Sequence, residues 1–513
     1  MSVLQGAPLL VVGAGIMGAG IAQVAAQAGH RVWLYDLREG AAAEAKGKLG
    51  KSLEGLVAKG KLTAQAVDQT LAHIEPITAL ETAASARLVV EAVVEKLDAK
   101  RSLFRQLESL VAEDCVLATN TSSISVTAIA NGLQRPGRLV GMHFFNPVPL
   151  MRLVEVVSGL QTEPAVAQAI HELSKQWGKV PVHARSTPGF IVNRIARPYY
   201  AETLALLQER AALPAVLDAC LRAAGFRMGP CELMDLIGHD TNFSVTQSVY
   251  EANFFDKRFV PSLVQRELVE GGLLGRKSGR GFYDYADGAP KPALPAVNGD
   301  GPPEATILSV HGNDAVARRI RDALTARGRG FEPMPDSDWT GLEVDGAELR
   351  LTDGRPASQV GAGEAADVAV FDLPLSQAPG AALAWAPAVQ ASAAWCAAAP
   401  LWLQELGFNP QRLADAPGLV VARTIAMLIN EAADAVHQGV CDEAGADAAM
   451  KLGVNYPQGP FEWLRGWDTA GVINLLDALD AHYRGERYRV SPGLRLCAWR
   501  RGLHEVECIG GGV

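Results

Sequence analysis

No two cysteines in this 513-residue chain stand in a C-x-x-C spacing, and the seven that occur (Cys115, Cys220, Cys231, Cys396, Cys441, Cys497 and Cys508) fit no metal-ligand pattern. That excludes a zinc ribbon or a disulfide framework. An odd, scattered set reads as free core thiols in a reducing, cytoplasmic setting, and no metal ligands are expected. A basic field is also lacking, because 47 Lys and Arg face 56 Asp and Glu for a formal charge of −9. No nucleic-acid partner is expected, and a polyanionic ligand must meet a local basic patch. The first residues carry no basic n-region and no cleavage site, so no secretory leader is expected. Unbroken apolar runs are scarce too. Residues 9–29 hold five glycines, and the uncharged stretch 380–403 is alanine-rich and broken by Pro387 and Pro400. Neither is expected to span a membrane.

What is present suits several cores: 49% of residues are hydrophobic, and the length calls for three or four domains. Leu9–Val12, a glycine turn, apolar residues at helical spacing to Ala28 and the run Val32–Tyr35 make a βαβ unit. Leu88–Val94, Val116–Thr119 and Leu139–Gly141 are further buried-strand candidates, with a helix through 98–112. Residues 39–75 read as a lysine-bearing helical hairpin inserted in this domain, and from Pro188 the periods turn helical to about residue 285. Residues 286–305 are a Pro/Gly-rich linker. The chain then repeats: Pro417-Gly-Leu-Val-Val-Ala-Arg423 echoes Pro188-Gly-Phe-Ile-Val-Asn-Arg194, and Glu202 and Glu431 follow at the same offset of 229 residues. The expected fold is α/β plus all-α. A Rossmann-type domain (1–186) precedes a helical domain (187–285) and the linker. A degenerate Rossmann-like domain (306–400) and a second helical domain (401–513) follow.

Gly13-Ala-Gly15-Ile16-Met17-Gly18 is a G-x-G-x-x-G between a strand and a helix, and Asp36 closes the next strand 23 residues after Gly13. Such glycines let backbone N–H groups approach a pyrophosphate at a helix N-terminus, while the carboxylate takes the ribose hydroxyls and disfavours a 2′-phosphate. The cofactor expected is NAD. His143-Phe-Phe-Asn146-Pro147 follows a buried strand, with Glu155 twelve residues on. An oxidation by hydride transfer needs a base for the hydroxyl proton; histidine suits that at neutral pH, and a carboxylate would orient it. The polar cluster Asn120-Thr121-Ser122-Ser123 follows another strand end, where ligands sit in doubly wound sheets. Ser122 there reads equally as a helix cap or a substrate contact. Lys46, Lys48, Lys51, Lys59 and Lys61 make the hairpin locally basic, a patch that suits a polyanionic ligand.

Over residues 7–285, with Gly275-Arg-Lys277-Ser-Gly-Arg-Gly-Phe-Tyr283 added, these motifs resemble the L-3-hydroxyacyl-CoA dehydrogenase family. The resemblance implies oxidation of a (3S)-3-hydroxyacyl-CoA to the 3-oxoacyl-CoA, with His143 as base, Glu155 as its partner, and Ser122 and Asn193 holding the substrate's oxygen. It implies cofactor contacts at Ile16, Met17, Glu95, Lys100, Asn146 and Lys277 beside the glycines and Asp36, and coenzyme A contacts at Ser52 and Lys59. In its two-copy layout, and in Arg227 where relatives usually have a proline, the chain is similar to the 3-hydroxyadipyl-CoA and 3-hydroxybutyryl-CoA dehydrogenases of phenylacetate degradation. Arg227 is accordingly a candidate for a terminal carboxylate or a plain surface residue.

In the second half, Ile307–Val310 aligned on the first strand sets His311, Asn313 and Val316 where the three glycines stand, and no second His-Phe-Phe-Asn-Pro occurs. One active site per chain is expected. The two helical domains are expected to pack on each other, any homodimer then using another face, and no hydratase domain is expected. Acyl length stays open, as do a dehydrogenase for a short free acid and a non-catalytic nucleotide-binding protein.

Overall fold

A computed structural model describes residues 4–500 apart from 291, 298, 300 and 363–366, so Cys508 lies outside the described residues. Two compact units form. One is Met1–Arg194 with Ala435–Val454, the other Ile195–Asp434 with the chain from Asn455 onward. Each unit is therefore closed by a piece of the other half of the sequence.

The first unit is built on eight strands: β1 (Leu9–Val12), β2 (Val32–Tyr35), β3 (Ile74–Ile77), β4 (Leu88–Glu91), β5 (Val116–Thr119), β6 (Leu139–Phe144), β7 (Leu153–Ser158) and β8 (Val180–Arg185). Their order is β3-β2-β1-β4-β5-β6-β7-β8, parallel except where β7 runs against β6. β1, β4, β5 and β6 are buried at every position. That is why they appear in the sequence as continuous apolar runs rather than as alternation. β3 escaped the sequence reading because it is a sheet edge carrying Pro76, where the missing N–H is tolerated. From β1 the chain first builds outward to β3, then returns to β4 on the other side. The switch point thus lies at the C-terminal ends of β1 and β4, where an open α/β sheet leaves a crevice. Helix α1 (Ile16–Gln27) leaves the glycine turn after β1, and α4 (Leu97–Leu110) follows β4. The hairpin expected at 39–75 is α2 (Ala41–Ala58) with α3 (Ala64–Ala72), the latter capped by the Thr63 hydroxyl.

The second unit holds helices from both halves and a seven-stranded mixed sheet: β9 (Leu308–His311), β10 (Glu332–Met334), β11 (Gly341–Val344), β12 (Ala347–Leu351), β13 (Val368–Phe371), β14 (Ala381–Pro387) and β15 (Phe408–Arg412). Its order is β10-β9-β11-β12-β13-β14-β15, and β15 falls beyond residue 400. A tight hairpin through Asp345 and Gly346, both at positive φ, joins β11 to β12 where the first sheet uses helical crossovers. The tempting segment 380–403 is β14 and a helix starting at Ala393. Among the described residues no helix is long and apolar enough to cross a membrane.

The two helical copies interlock inside this unit. Glu202, fully buried, accepts from Arg487 (2.7 Å), Arg423 (2.9 Å) and the Tyr488 hydroxyl (3.0 Å). Reciprocally, Arg258 donates to Glu431 (3.4 Å) and to Asp434. Arg487 stands at the same 229-residue offset from Arg258 as Glu431 does from Glu202. Residue i of one copy thus meets residue j of the other and conversely, the self-complementary pattern of a two-fold interface, here within one chain.

Candidate active site

The C-terminal ends of β1, β4, β5 and β6 bring the sequence-predicted motifs of the first unit together. Gly13 turns at φ +105°, and a Cβ there would lie 2.4 Å from the Ala92 carbonyl oxygen. At Gly18 a Cβ would lie 1.7 Å from the Gly13 oxygen, so both glycines are required by the turn itself. Gly15 differs. It caps α1 with ordinary φ, and a Cβ on it would meet nothing within 4 Å. Protein packing gives no reason for glycine there, whereas a ligand lying against that backbone does. Ile16, the first residue of α1, is 78% exposed beside it, and Met17 packs on the core. Asp36 accepts from the Ala14 amide (2.8 Å) and the Arg38 amide (2.9 Å), which fixes its carboxylate over the turn. The loop, the bare helix end and this carboxylate fit a dinucleotide.

His143 lies one residue before the end of β6, and register pairs it with Glu155 on β7. Its Nδ1 is 2.5 Å from Glu155 Oε2, with His143 5% exposed and Glu155 wholly buried. The other carboxylate oxygen accepts from the Ile191 (3.1 Å) and Val192 (2.9 Å) amides. A carboxylate can only accept, so the imidazole proton sits on Nδ1 and Nε2 keeps its lone pair. The pair can take up a proton at Nε2 without moving. The rings of Phe145 and Phe190 flank the imidazole at 4.5 and 5.8 Å.

Asn120 Oδ1 accepts from the Phe144 amide (2.8 Å), tying the turn after β5 to the strand that bears His143. Ser122, half-buried in that turn, has its amide on Glu95 Oε1 (3.0 Å). Asn193 sits in the short helix Val192–Ile195, just past the amides that hold Glu155. Asn146 is exposed at the start of the following loop. Lys100 stands elsewhere than a ligand contact would: it is 1% exposed, its ammonium held by Glu91 (2.6 Å) and Glu95 (3.2 Å). On α2, Ser52 and Lys59 are exposed two turns apart, while Lys46 is committed to the Ile74 carbonyl and Lys48 to Glu44. Arg227 and Lys277 belong to the second unit. Arg227 is exposed with no ion-pair partner among the described residues, and Lys277 pairs with Asp240.

Among the buried charges that the sequence reading missed, two lie at the ends of this unit's strands or hold its loops. Glu91 ends β4 at 0% exposure; its signal was a carboxylate closing an apolar run. Lys179 donates to the Val148 (2.5 Å) and Met151 (2.8 Å) carbonyls, holding the loop after Pro147, and burial pushes its pKa down to about 8.

The alignment of the second half needs correcting by one residue. β9 and the helix Ala315–Ala326 set Gly312, not His311, at the Gly13 position, with φ +87°. Asp314 then replaces Gly15 and Ala317 replaces Gly18. The Asp314 carboxylate caps its own helix through the Ala317 amide (2.8 Å), filling with its own negative charge the place an anion would take. In the second sheet Asp372 stands opposite Ala384 as His143 stands opposite Glu155, each 229 residues on. Asp372 accepts from the Val420 (2.9 Å) and Val421 (2.7 Å) amides, the counterparts of those that hold Glu155. The carboxylate anchor survives, moved to the neighbouring strand, and the imidazole is gone.

Comparison with known proteins agrees with this layout. Residues 9–187 match the family described as "3-hydroxyacyl-CoA dehydrogenase, NAD binding domain". Residues 189–285 and again 418–501 match its C-terminal domain. Residues 349–417 match a "3-hydroxybutyryl-CoA dehydrogenase reduced Rossmann-fold domain". The chain is 44% identical over 491 residues to the 3-hydroxyadipyl-CoA dehydrogenase of Escherichia coli K12, covering 94% of this chain and 96% of that one. Over 54% of this chain and 90% of the relative it is 41% identical to the mitochondrial hydroxyacyl-coenzyme A dehydrogenase of Sus scrofa. The crystal structure of a 3-hydroxybutyryl-CoA dehydrogenase from Escherichia coli K12 superposes with a TM-score of 0.88 at 41% identity, over 97% of this chain and 99% of that one.

Proposed function

Because the chain belongs to the 3-hydroxyacyl-CoA dehydrogenase family and oxidises the 3-hydroxyl of a 3-hydroxyacyl-CoA with NAD as cofactor, we propose that His143 is the base of that oxidation and Glu155 its orienting partner. The observation that carries the reading is the buried 2.5 Å contact between them, which leaves Nε2 as the proton acceptor. Gly13–Gly18 and Asp36 would hold NAD, which would supply the hydride acceptor. His143 Nε2 takes the proton of the substrate hydroxyl. The positive charge that then develops on the imidazole is balanced by Glu155, whose second oxygen is already fixed by two amides, so no group has to reorient as charge moves. Ser122 and Asn193 hold the substrate's oxygen. Glu95 and Asn146 line the cofactor. Ser52 and Lys59, with Lys51 and Lys61, which have no ion-pair partner among the described residues, take the phosphates of coenzyme A. The second half, with Asp314 and Asp372 in place of the glycine and the imidazole, adds no second site and supplies instead the helical partner surface, so a homodimer would use another face. The described cysteines are all free, in keeping with a cytoplasmic setting.

The acyl group is proposed to be 3-hydroxyadipyl, a dicarboxylic chain. Two things support this: the name of the Escherichia coli relative, and the exposed guanidinium of Arg227, which has no ion-pair partner among the described residues. An arginine holds a carboxylate bidentately, worth about 1.5–3 kcal/mol. Arg227→Met should lower kcat/KM on 3-hydroxyadipyl-CoA by roughly 10–100-fold and leave 3-hydroxybutyryl-CoA nearly unchanged. Equal losses on both, or none on either, would instead favour 3-hydroxybutyryl-CoA, the substrate named for the solved structure.

A further inference from the structure

Three charged side chains behind the Ser122 turn are linked in a chain, and two of them, Glu91 and Lys100, have no part in the reaction as described. Glu91, at the end of β4, is fully buried. Its Oε1 accepts from Lys100 (2.6 Å) and from the Val93 amide (2.7 Å), and its Oε2 from the Thr119 hydroxyl at the end of β5 (2.6 Å). Lys100, in the first turn of α4, bridges onward to Glu95 Oε2 (3.2 Å). Glu95 Oε1 then gathers the Thr121 hydroxyl (2.6 Å), the Ser122 amide (3.0 Å), the Ser123 amide (3.1 Å) and the Ser123 hydroxyl (3.0 Å). The Ser122 hydroxyl lies 3.5 Å from the same oxygen. Strand ends β4 and β5 are thereby tied, through one buried cation, to the turn that carries Ser122.

The charge count gives this chain a direction. Glu91 and Lys100 neutralise each other where neither touches water, which leaves Glu95 its charge to spend on the turn's four short donors. Burial alone would raise the Glu95 pKa, but Lys100 and the Thr121 and Ser122 donors outweigh it and hold it low. With Glu91 uncharged, Lys100 would have Glu95 as its sole counterion, and the buried ammonium would draw that carboxylate toward itself and away from Ser122. We infer that Glu91 is a positioning residue for the dehydrogenation: acting through Lys100 and Glu95, it fixes the Ser122 hydroxyl where the substrate's oxygen must be held. Glu91 touches neither substrate nor cofactor, and its role rests on the reading of Ser122 as the oxygen contact.

A double-mutant cycle on the full-length enzyme tests it. Glu91→Gln should lower kcat by 10–100-fold while KM for the acyl-CoA stays within threefold. Introduced into Ser122→Ala, the same change should cost less than twofold, because the group it positions is already gone. A tenfold or greater loss in the Ser122→Ala background, or a KM effect as large as the kcat effect, overturns the inference and leaves Ser122 in its role. An inert Ser122→Ala overturns both. Should Glu91→Gln fail to fold for want of Lys100's partner, Glu91→Gln/Lys100→Met, which leaves no ammonium to draw Glu95 off the turn, should keep kcat within threefold of the parent; a tenfold or greater loss in it overturns the inference.

Discussion

Replacing Glu155 by glutamine separates orientation from charge at the His143 pair. The carboxylate accepts on both sides, from His143 Nδ1 on one oxygen and from the Ile191 and Val192 amides on the other. A glutamine has one accepting oxygen and one donating NH2. Turned with its NH2 toward the two amides, it would face donor against donor and leave both buried N–H groups unmade, at about 1–3 kcal/mol each. Turned the other way, it keeps both amide bonds and presents NH2 to the imidazole. Nδ1 must then accept, the proton moves to Nε2, and the base is lost. Sequence reasoning alone makes Glu155→Gln milder than His143→Ala, because the imidazole remains; the hydrogen-bond geometry removes that difference. Glu155→Gln should lower kcat by about 10²–10⁴, as much as His143→Ala, or about 3–5 kcal/mol of activation free energy. A wrong tautomer costs about 10⁴ in a Ser-His-Asp triad. Glu155→Ala leaves Nδ1 free to take its proton back and should lose only about 10–100-fold. NADH formation with saturating substrate measures all three. A Glu155→Gln enzyme more active than Glu155→Ala would refute the tautomer argument.

Asp36→Ala removes a carboxylate that braces the glycine turn and is proposed to take the ribose hydroxyls, so KM for NAD should rise by about 10–100-fold and the preference over NADP should narrow; kinetics with both cofactors decide it, and an unchanged ratio sinks the ribose assignment. Burial raises Asp372 to a pKa of about 6 against the usual 3.8, so the folded state holds this proton more tightly than the unfolded one, and its contribution to stability, full below pH 3.8, is lost as pH rises to 6. Urea midpoints of Asp372→Asn should therefore gain on the parent between pH 4 and 6 and run parallel to it above pH 7; a constant difference across that range would show that Asp372 titrates normally.

Much of this was legible in the sequence because the signals were local. Gly13, Gly15, Gly18 and Asp36 announce a loop whose backbone must turn and lie open, and strands buried on both faces print themselves as apolar runs. The order of motifs, the hairpin and the duplication needed nothing beyond the chain. Register did not show: a one-residue shift set His311 rather than Gly312 at the turn, because the last apolar residue of a strand does not mark where its hydrogen bonds end. Nor could sequence separate lysines already spoken for, such as Lys46 and Lys100, from those left to a ligand, since the partners of a charge lie far along the chain. The His143–Glu155 pair spans only twelve residues, yet it took the antiparallel turn from β6 to β7 to set them side by side, and the Ile191 and Val192 amides to fix the carboxylate's other face. Composition and spacing determined which groups this protein has; the sheet decided which of them are buried together, and burial is what sets the direction of their hydrogen bonds.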